Sequence, residues 1–407
     1  MNPQPVAERG PFSGLRVIEL GGFIAAGFCG QLLADFGAEV VKVEDPVAGD
    51  PIRTWGVHKL QGRSLWWPVI GRNKRCITLN LRRPEGQAIA RRLILKSDVL
   101  IENFRPGTLK EWNLDPDDLR HERPELIVGR ISGFGQTGPY RERPGFAAVA
   151  EAMAGLRFVT GFPDRPPARV ALSIGDSLAG LFTAFGIVTA LYARIKKDGS
   201  GKGQEVDVGI TDSVIAIMES IISEYSATGK VRQRNGMALA GLAPSNLYPT
   251  RDGHWVVIAA NSNPLFKRLT AAMGVPELAS DPRFQTHDAR GDRQEELDQI
   301  VSAWTSGLAS DELVEKLKKH QVPTGPLNDA AAVTADPHFR ARQSVIDVET
   351  EEFGTLSMQG VVPKLSGTPG QVEWMGPRIG EHNSEIYTTP LDLTEAEIVR
   401  LQKEGVI

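Results

Sequence analysis

From Ser177 to Ala193 the chain runs for 17 residues without a charged side chain, directly after Gly175-Asp176 and before Lys196-Lys197-Asp198-Gly199. As a helix such a run extends about 26 Å and needs apolar surroundings along much of its length. It falls short of the roughly 20 residues that span a bilayer. Ala179, Gly180, Ala184 and Gly186 leave room for close helix approach. A buried core helix of an α/β protein is therefore predicted, and no membrane partner. A chain of 407 residues can bury such a helix, and its length is sufficient for two or three domains. Hydrophobic content of 41% with 24% charged residues is globular, and a net charge of −4 argues against a nucleic-acid binder. Cys29 and Cys76 imply no disulfide framework, and residues 1–13 lack the apolar centre of a signal peptide. A reducing compartment, the cytoplasm, is expected.

Asp176 stands where the helix begins. A carboxylate at or near the N-cap is favoured in its ionised form by backbone N–H groups and the helix dipole. Two readings follow. Asp176 is a helix cap alone, or it is a nucleophile with Gly175 clearing the approach of a substrate.

The chain before it alternates strand and helix. Arg16–Leu20 reads as a strand, residues 25–36 as a helix stopped by Gly37, and Glu39–Glu44 as a second strand. This βαβ opening places ligands at strand C-termini. Gly21, Gly22 and Gly27 do not have the G-x-G-x-x-G spacing, so no dinucleotide fingerprint is encoded. A long loop from Asp45 to Pro68 carries Arg53 and three tryptophans, Trp55, Trp66 and Trp67. Further strands are expected at Cys76–Leu81, Val99–Glu102, Leu126–Ser132 and Gln204–Gly209, with helices at 84–96 and 117–123 between them. The strand at Val99 ends in Asn103-Phe104-Arg105, an amide, a flat ring and a fixed cation suited to a nucleotide phosphate and base, or else in a turn where Pro106-Gly107 merely reverses the chain. A helix over 211–228 follows, then a Gly/Ala/Pro-rich stretch at 235–244 and a smaller α+β region. The histidines there, His254, His287 and His320, show no metal-ligand spacing, and no metal is expected.

In order along the chain, Leu15–Leu20, Leu33–Glu44, Gly49-Asp50, Asn73–Arg75, Glu102–Gly107, Ile131–Pro139, Gly175-Asp176, Gly201–Gln204 and Ile379–Asn383 resemble one family, the class III coenzyme A transferases of the carnitine-dehydratase and bile-acid-inducible type. The resemblance spans nearly the whole chain. It implies a Rossmann-like doubly wound large domain over residues 1–215, completed by 385–407, a small α+β domain over 216–335 and a returning linker over 336–384. An interlocked homodimer is also implied.

By the same resemblance Asp176 is the catalytic aspartate. CoA moves from an acyl-CoA donor to a free acid, a short dicarboxylate, through anhydride and aspartyl-CoA thioester intermediates, with no permanently bound cofactor. Ala25, Leu79, Arg82, Asn103, Phe104 and Arg105 are the implied CoA contacts, with Arg143 replacing a basic partner missing at Glu111. Family members carry a four-glycine loop near Ala240-Gly241-Leu242 that supplies oxyanion donors; this sequence lacks that run. Arg53, Arg169 and Arg234 are candidates for a distal carboxylate. The rival reading is an alpha-methylacyl-CoA racemase, which needs a positioned acid–base pair. The racemase motif has histidine where this chain has Phe146, and a phenylalanine carries no proton.

Overall fold

The computed structural model describes residues 10–407, which form two compact units. One comprises the chain as far as Leu156 together with Ala171–Ile222 and Pro337–Ile407; the other comprises Arg157–Val170 and Ser223–Asp336. Of the linker expected over 336–384, residues 337–384 cluster with the first unit and Asp336 with the second.

The first unit is built on six strands: β1 (Arg16–Glu19), β2 (Glu39–Glu44), β3 (Lys74–Thr78), β4 (Val99–Glu102), β5 (Ile127–Ser132) and β6 (Glu205–Gly209). All pair in parallel, in the spatial order β3-β2-β1-β4-β5-β6. That is the order of doubly wound nucleotide-binding sheets, in which the strand order reverses beside β1 and opens a crevice at the strand C-termini. Alternation along the strands divides the core. Val17, Val40, Val99, Ile101 and Ile127 pack on one face, Ile18, Val41, Leu100 and Val128 on the other.

On the first face lie α1 (Phe23–Ala34), α4 (Ala147–Met153) and α5 (Ile174–Ile195), and on the second α2 (Pro84–Leu95). The helix α3 (Pro116–Glu122) contributes Leu119 to the second face. α1 and α5 cross closely because Gly180 lacks a side chain: a Cβ there would sit 2.6 Å from the Ala25 carbonyl oxygen. α5 is the long uncharged run. It buries Ala179, Gly180, Thr183, Ala184, Ile187 and Ala190 along one stripe. Leu181, Phe185, Val188, Tyr192 and Ile195, spaced four, three, four and three, form an exposed stripe, with Phe185 69% exposed. The core-helix expectation therefore holds for one face only. Among the described residues this is the one helix long and apolar enough to cross a membrane.

The helix expected over 211–228 breaks. It forms α6 (Ile210–Ala216) and a separate helix over Ile221–Thr228, with Glu219 at φ +51° between them. Cys29 and Cys76 are free and fully buried, and burial pushes both thiols up.

The end of the chain seals β3. Its strand edge meets His382 and Asn383: the Cys76 N–H donates to His382 Nδ1 (3.2 Å), the Thr78 N–H to Asn383 Oδ1 (2.9 Å), and the Cys76 carbonyl accepts from the His382 N–H (3.0 Å). Tyr387, Leu391, Ile398 and Leu401 then enter the second-face core.

The second unit has an antiparallel sheet of β7 (Ser245–Pro249), β8 (Trp255–Ala259) and β9 (Thr324–Pro326), in the order β9-β8-β7. Helices α7 (Asn263–Met273), α8 (Gln294–Thr305) and α9 (Ser310–Lys319) cover it through Phe266, Leu269, Leu297, Val301, Leu313 and Leu317. Arg234 belongs to this unit, where its guanidinium donates to the carbonyls of Phe158 and Phe162.

A candidate active site at the strand C-termini

The loops after β1, β2, β4 and β5 and the first turn of α5 surround a cavity of about 600 Å³, a size suited to a small-molecule ligand. Asp176 lines it, and is the third residue of α5; Ser173 stands at the N-cap and makes no side-chain cap. The half-buried carboxylate of Asp176 therefore belongs to the first helical turn, where the dipole favours negative charge. Gly175 is tightly packed beneath it. A Cβ there would lie 3.2 Å from Ile210 Cγ2 and 3.3 Å from Ala147 Cβ.

Ala25, Leu79, Arg82, Asn103, Phe104 and Arg105 all line the same cavity. Leu79 and Ala25 are buried apolar wall, while Arg82 and Arg105 are exposed cations. Arg82 pairs with Asp45 at 3.2 Å, and Arg105 donates to the Glu142 carbonyl at 3.0 Å. Phe104 stands edge-on to Trp112 with ring centroids 5.0 Å apart. The amide of Asn103 is committed to the protein. Its Oδ1 accepts from the Gly22 N–H (2.9 Å) and its Nδ2 donates to the Gly22 carbonyl (2.7 Å), which fixes the β1–α1 loop. Arg143 does not reach this wall; its guanidinium lies 3.7 Å from the centre of the Tyr140 ring, and Pro144 lines the cavity instead.

Glu102, at the end of β4, supports this loop from below. It is 1% exposed, takes the Phe104 N–H (2.8 Å) and pairs with Arg130 (2.8 Å). Burial pushes its carboxyl up to about 6, against the opposing pull of Arg130.

Sequence reasoning missed the buried ions under the β1–α1 loop. Lys42 is 1% exposed, 2.8 Å from Asp50 and 3.0 Å from Glu19, and also donates to the Gly21 carbonyl. Burial opposes its charge, but Asp50 and Glu19 hold the ammonium protonated. Burial likewise works against the Asp50 carboxylate, and Lys42 more than offsets it, so Asp50 titrates below the usual range. Arg53, a candidate for substrate carboxylate, is already engaged: it forks onto Glu44 (2.8 and 2.7 Å), donates to the Pro377 carbonyl and stacks on Trp67 at 3.8 Å. The spacing Glu44…Gly49-Asp50…Arg53 was the available signal, but pairing between close acids and bases is not visible in a sequence.

Phe146 also lines the cavity, 67% exposed, where a racemase would need an imidazole. Among the described residues no histidine lines this wall, and no group of three or more His, Cys, Asp or Glu is placed to hold a metal ion.

Residues 12–383 match the model of CoA-transferase family III. The chain is 54% identical over 397 residues to the succinyl-CoA–D-citramalate CoA-transferase of Chloroflexus aurantiacus, covering 98% of each chain. It is 35% identical to the succinate–glutarate CoA-transferase of Agrobacterium fabrum, over 92% of this chain and 94% of that one. The crystal structure of a CAIB/BAIF family protein from Brucella suis superposes with a TM-score of 0.82 at 35% identity, covering 94% of this chain and 100% of that chain. A parallel sheet in nucleotide-binding order, a cavity at its switch point and a family match across nearly the full length agree, and the chain belongs to CoA-transferase family III.

Proposed function

We propose that this protein moves CoA from succinyl-CoA to a second short dicarboxylate, with Asp176 as the covalent carrier. The observation that carries the reading is the Asp176 carboxylate in the first turn of α5, opening on a cavity with cations at Arg82 and Arg105. The names of the relatives support a succinyl donor and a citramalate-like acceptor.

Asp176 attacks the thioester carbonyl; the C–S bond breaks, and CoA leaves as thiolate from a mixed anhydride. The thiolate then attacks the aspartyl carbonyl, releasing the donor acid as carboxylate and leaving an aspartyl-CoA thioester. The acceptor carboxylate attacks that thioester and expels CoA thiolate, which finally takes the acceptor acyl group and frees Asp176. Charge is conserved throughout, with no net proton transfer. Each step exchanges groups of similar energy, which is the benefit of a covalent route. The rim cations Arg82 and Arg105 attract CoA phosphates, and Phe104 offers a face to the adenine. Asn103 acts through the Gly22 peptide, which it fixes, while Arg143 adds positive charge outside the wall.

We also infer a homodimer, supported by the exposed apolar stripe of α5, which a monomer would leave in water. Two free buried thiols suit the cytoplasm.

CoA transfer measured over a panel of acyl-CoA donors and dicarboxylate acceptors tests the reading. Asp176→Ala is expected to lower kcat on the order of 10³-fold or more. Hydroxylamine added after acyl-CoA should modify Asp176 in the wild type. Alpha-proton exchange without acid-dependent transfer would replace this reading with the racemase.

A further inference from the structure

Among the described residues, the non-glycine positions with positive φ are polar except one: Phe23, at φ +61°. A bulky side chain in the left-handed region is strained, and glycine would sit there without that strain. Phe23 is the first residue of α1, and the structure around it is built to keep it in place. Its N–H donates to Asp50 Oδ1 at 3.2 Å, while Asp50 Oδ2 is 2.8 Å from Lys42. The preceding Gly22 is gripped through both backbone atoms by Asn103, and Lys42 takes the Gly21 carbonyl. Lys42, Asp50 and Glu19 are at most 4% exposed, so this anchor is inside the protein. The ring it orients stands on the cavity wall. Phe23 meets Trp55 at 5.2 Å and Phe146 at 6.4 Å between ring centroids, and all three line the cavity with Asp176. Ala147, next to Phe146, packs against Gly175 at the start of α5.

Strain retained where glycine would relieve it points to a use for the side chain. We propose that Phe23 is a specificity-determining residue that limits the acyl group admitted beside Asp176 to short chains, and that Asp50, braced by Lys42, is its positioning residue. The inference rests on the CoA-transferase reading. Without its ring the space between Trp55 and Phe146 opens, and longer acyl groups gain access. Without the Asp50–Lys42 brace the ring loses its orientation, and acyl-CoA binds less tightly while the chemistry at Asp176 continues.

The test compares wild type with Phe23→Gly, Phe23→Leu and Asp50→Asn, using succinyl-CoA and hexanoyl-CoA as donors and reading thermal melting in parallel. Phe23→Gly is expected to raise the hexanoyl-to-succinyl ratio of kcat/KM at least tenfold in a protein that still melts cooperatively. Phe23→Leu, which keeps bulk and strain, should change that ratio by less than threefold. Asp50→Asn should raise KM for succinyl-CoA at least fivefold with kcat within threefold, whereas general loosening would lower kcat through the active fraction. An unchanged ratio in a folded Phe23→Gly protein overturns the specificity role. A wild type without Asp176-dependent transfer defeats the functional reading instead, so the two failures are separable.

Discussion

At Glu102 a single buried carboxyl links proton binding to the ligand wall. Its ordinary value of 4.5 is pushed up to about 6 by burial, so between those pH values the folded chain holds a proton that the unfolded chain releases. The contribution to stability is therefore greatest at and below pH 4.5, falls as pH rises to about 6, and is constant above, a change of about 2 kcal/mol. Glu102→Gln should remove that component. In urea unfolding, the wild type should lose about 2 kcal/mol more than the variant between about pH 3.5 and pH 7; equal losses would refute the assignment. The same proton weakens the acceptor for the Phe104 N–H. KM for acyl-CoA should accordingly rise as pH falls through 6 in the wild type and stay level in Glu102→Gln. None of this is visible from the residue alone, because Glu102 owes its burial to the position of β4 inside the sheet. Asp176 was more legible, since a glycine-acid pair before an uncharged run marks a helix start in any fold. Asn103 was legible as a residue of the ligand wall; its hold on Gly22, 81 residues away, was not.

The pairing of α1 with α5 sets the spacing between the β1–α1 loop and Asp176. Gly180 makes that approach possible, and a methyl group there would press on the Ala25 carbonyl at 2.6 Å. Alanine is the better helix former by about 1 kcal/mol, yet overpacking costs typically about 1–3 kcal/mol. Gly180→Ala is expected to be destabilised and to lose activity; a rise in melting temperature at full activity would show that the helices can separate freely. Most elements of the parallel sheet could be read in advance within a residue or two, because β-branched runs and the helices between them each carry a local period. The helix expected over 211–228 could not. Its residues favour continuation, and the break at Glu219 lies within a segment whose local pattern shows no stop. The left-handed turn at Phe23 was hidden for a related reason, since Asp50 and Lys42 enforce it from other parts of the chain. Periodicity reports which face of an element is apolar; it does not report what a distant side chain imposes on a backbone angle.

For the molecule as a whole, the exposed stripe on α5 predicts association. Light scattering at micromolar concentration should give twice the 44.3 kDa chain mass, and Phe185→Glu should lower the yield of that species. A wild-type monomer would remove the case for pairing. The doubly wound order was readable from the alternation of strands and helices, but how the chain end returns was not, because its contacts are fixed by side chains such as His382 and Asn383 rather than by a period. That return has a consequence for synthesis. β3 is complete within the first fifth of the chain, while the groups that cap its outer edge lie more than 300 residues later. On the ribosome the sheet therefore carries an open, pairing-competent border until those groups have been made. A nascent chain stalled before His382 would present that border to its neighbours, and chaperone occupancy during translation should fall only once the last turns emerge.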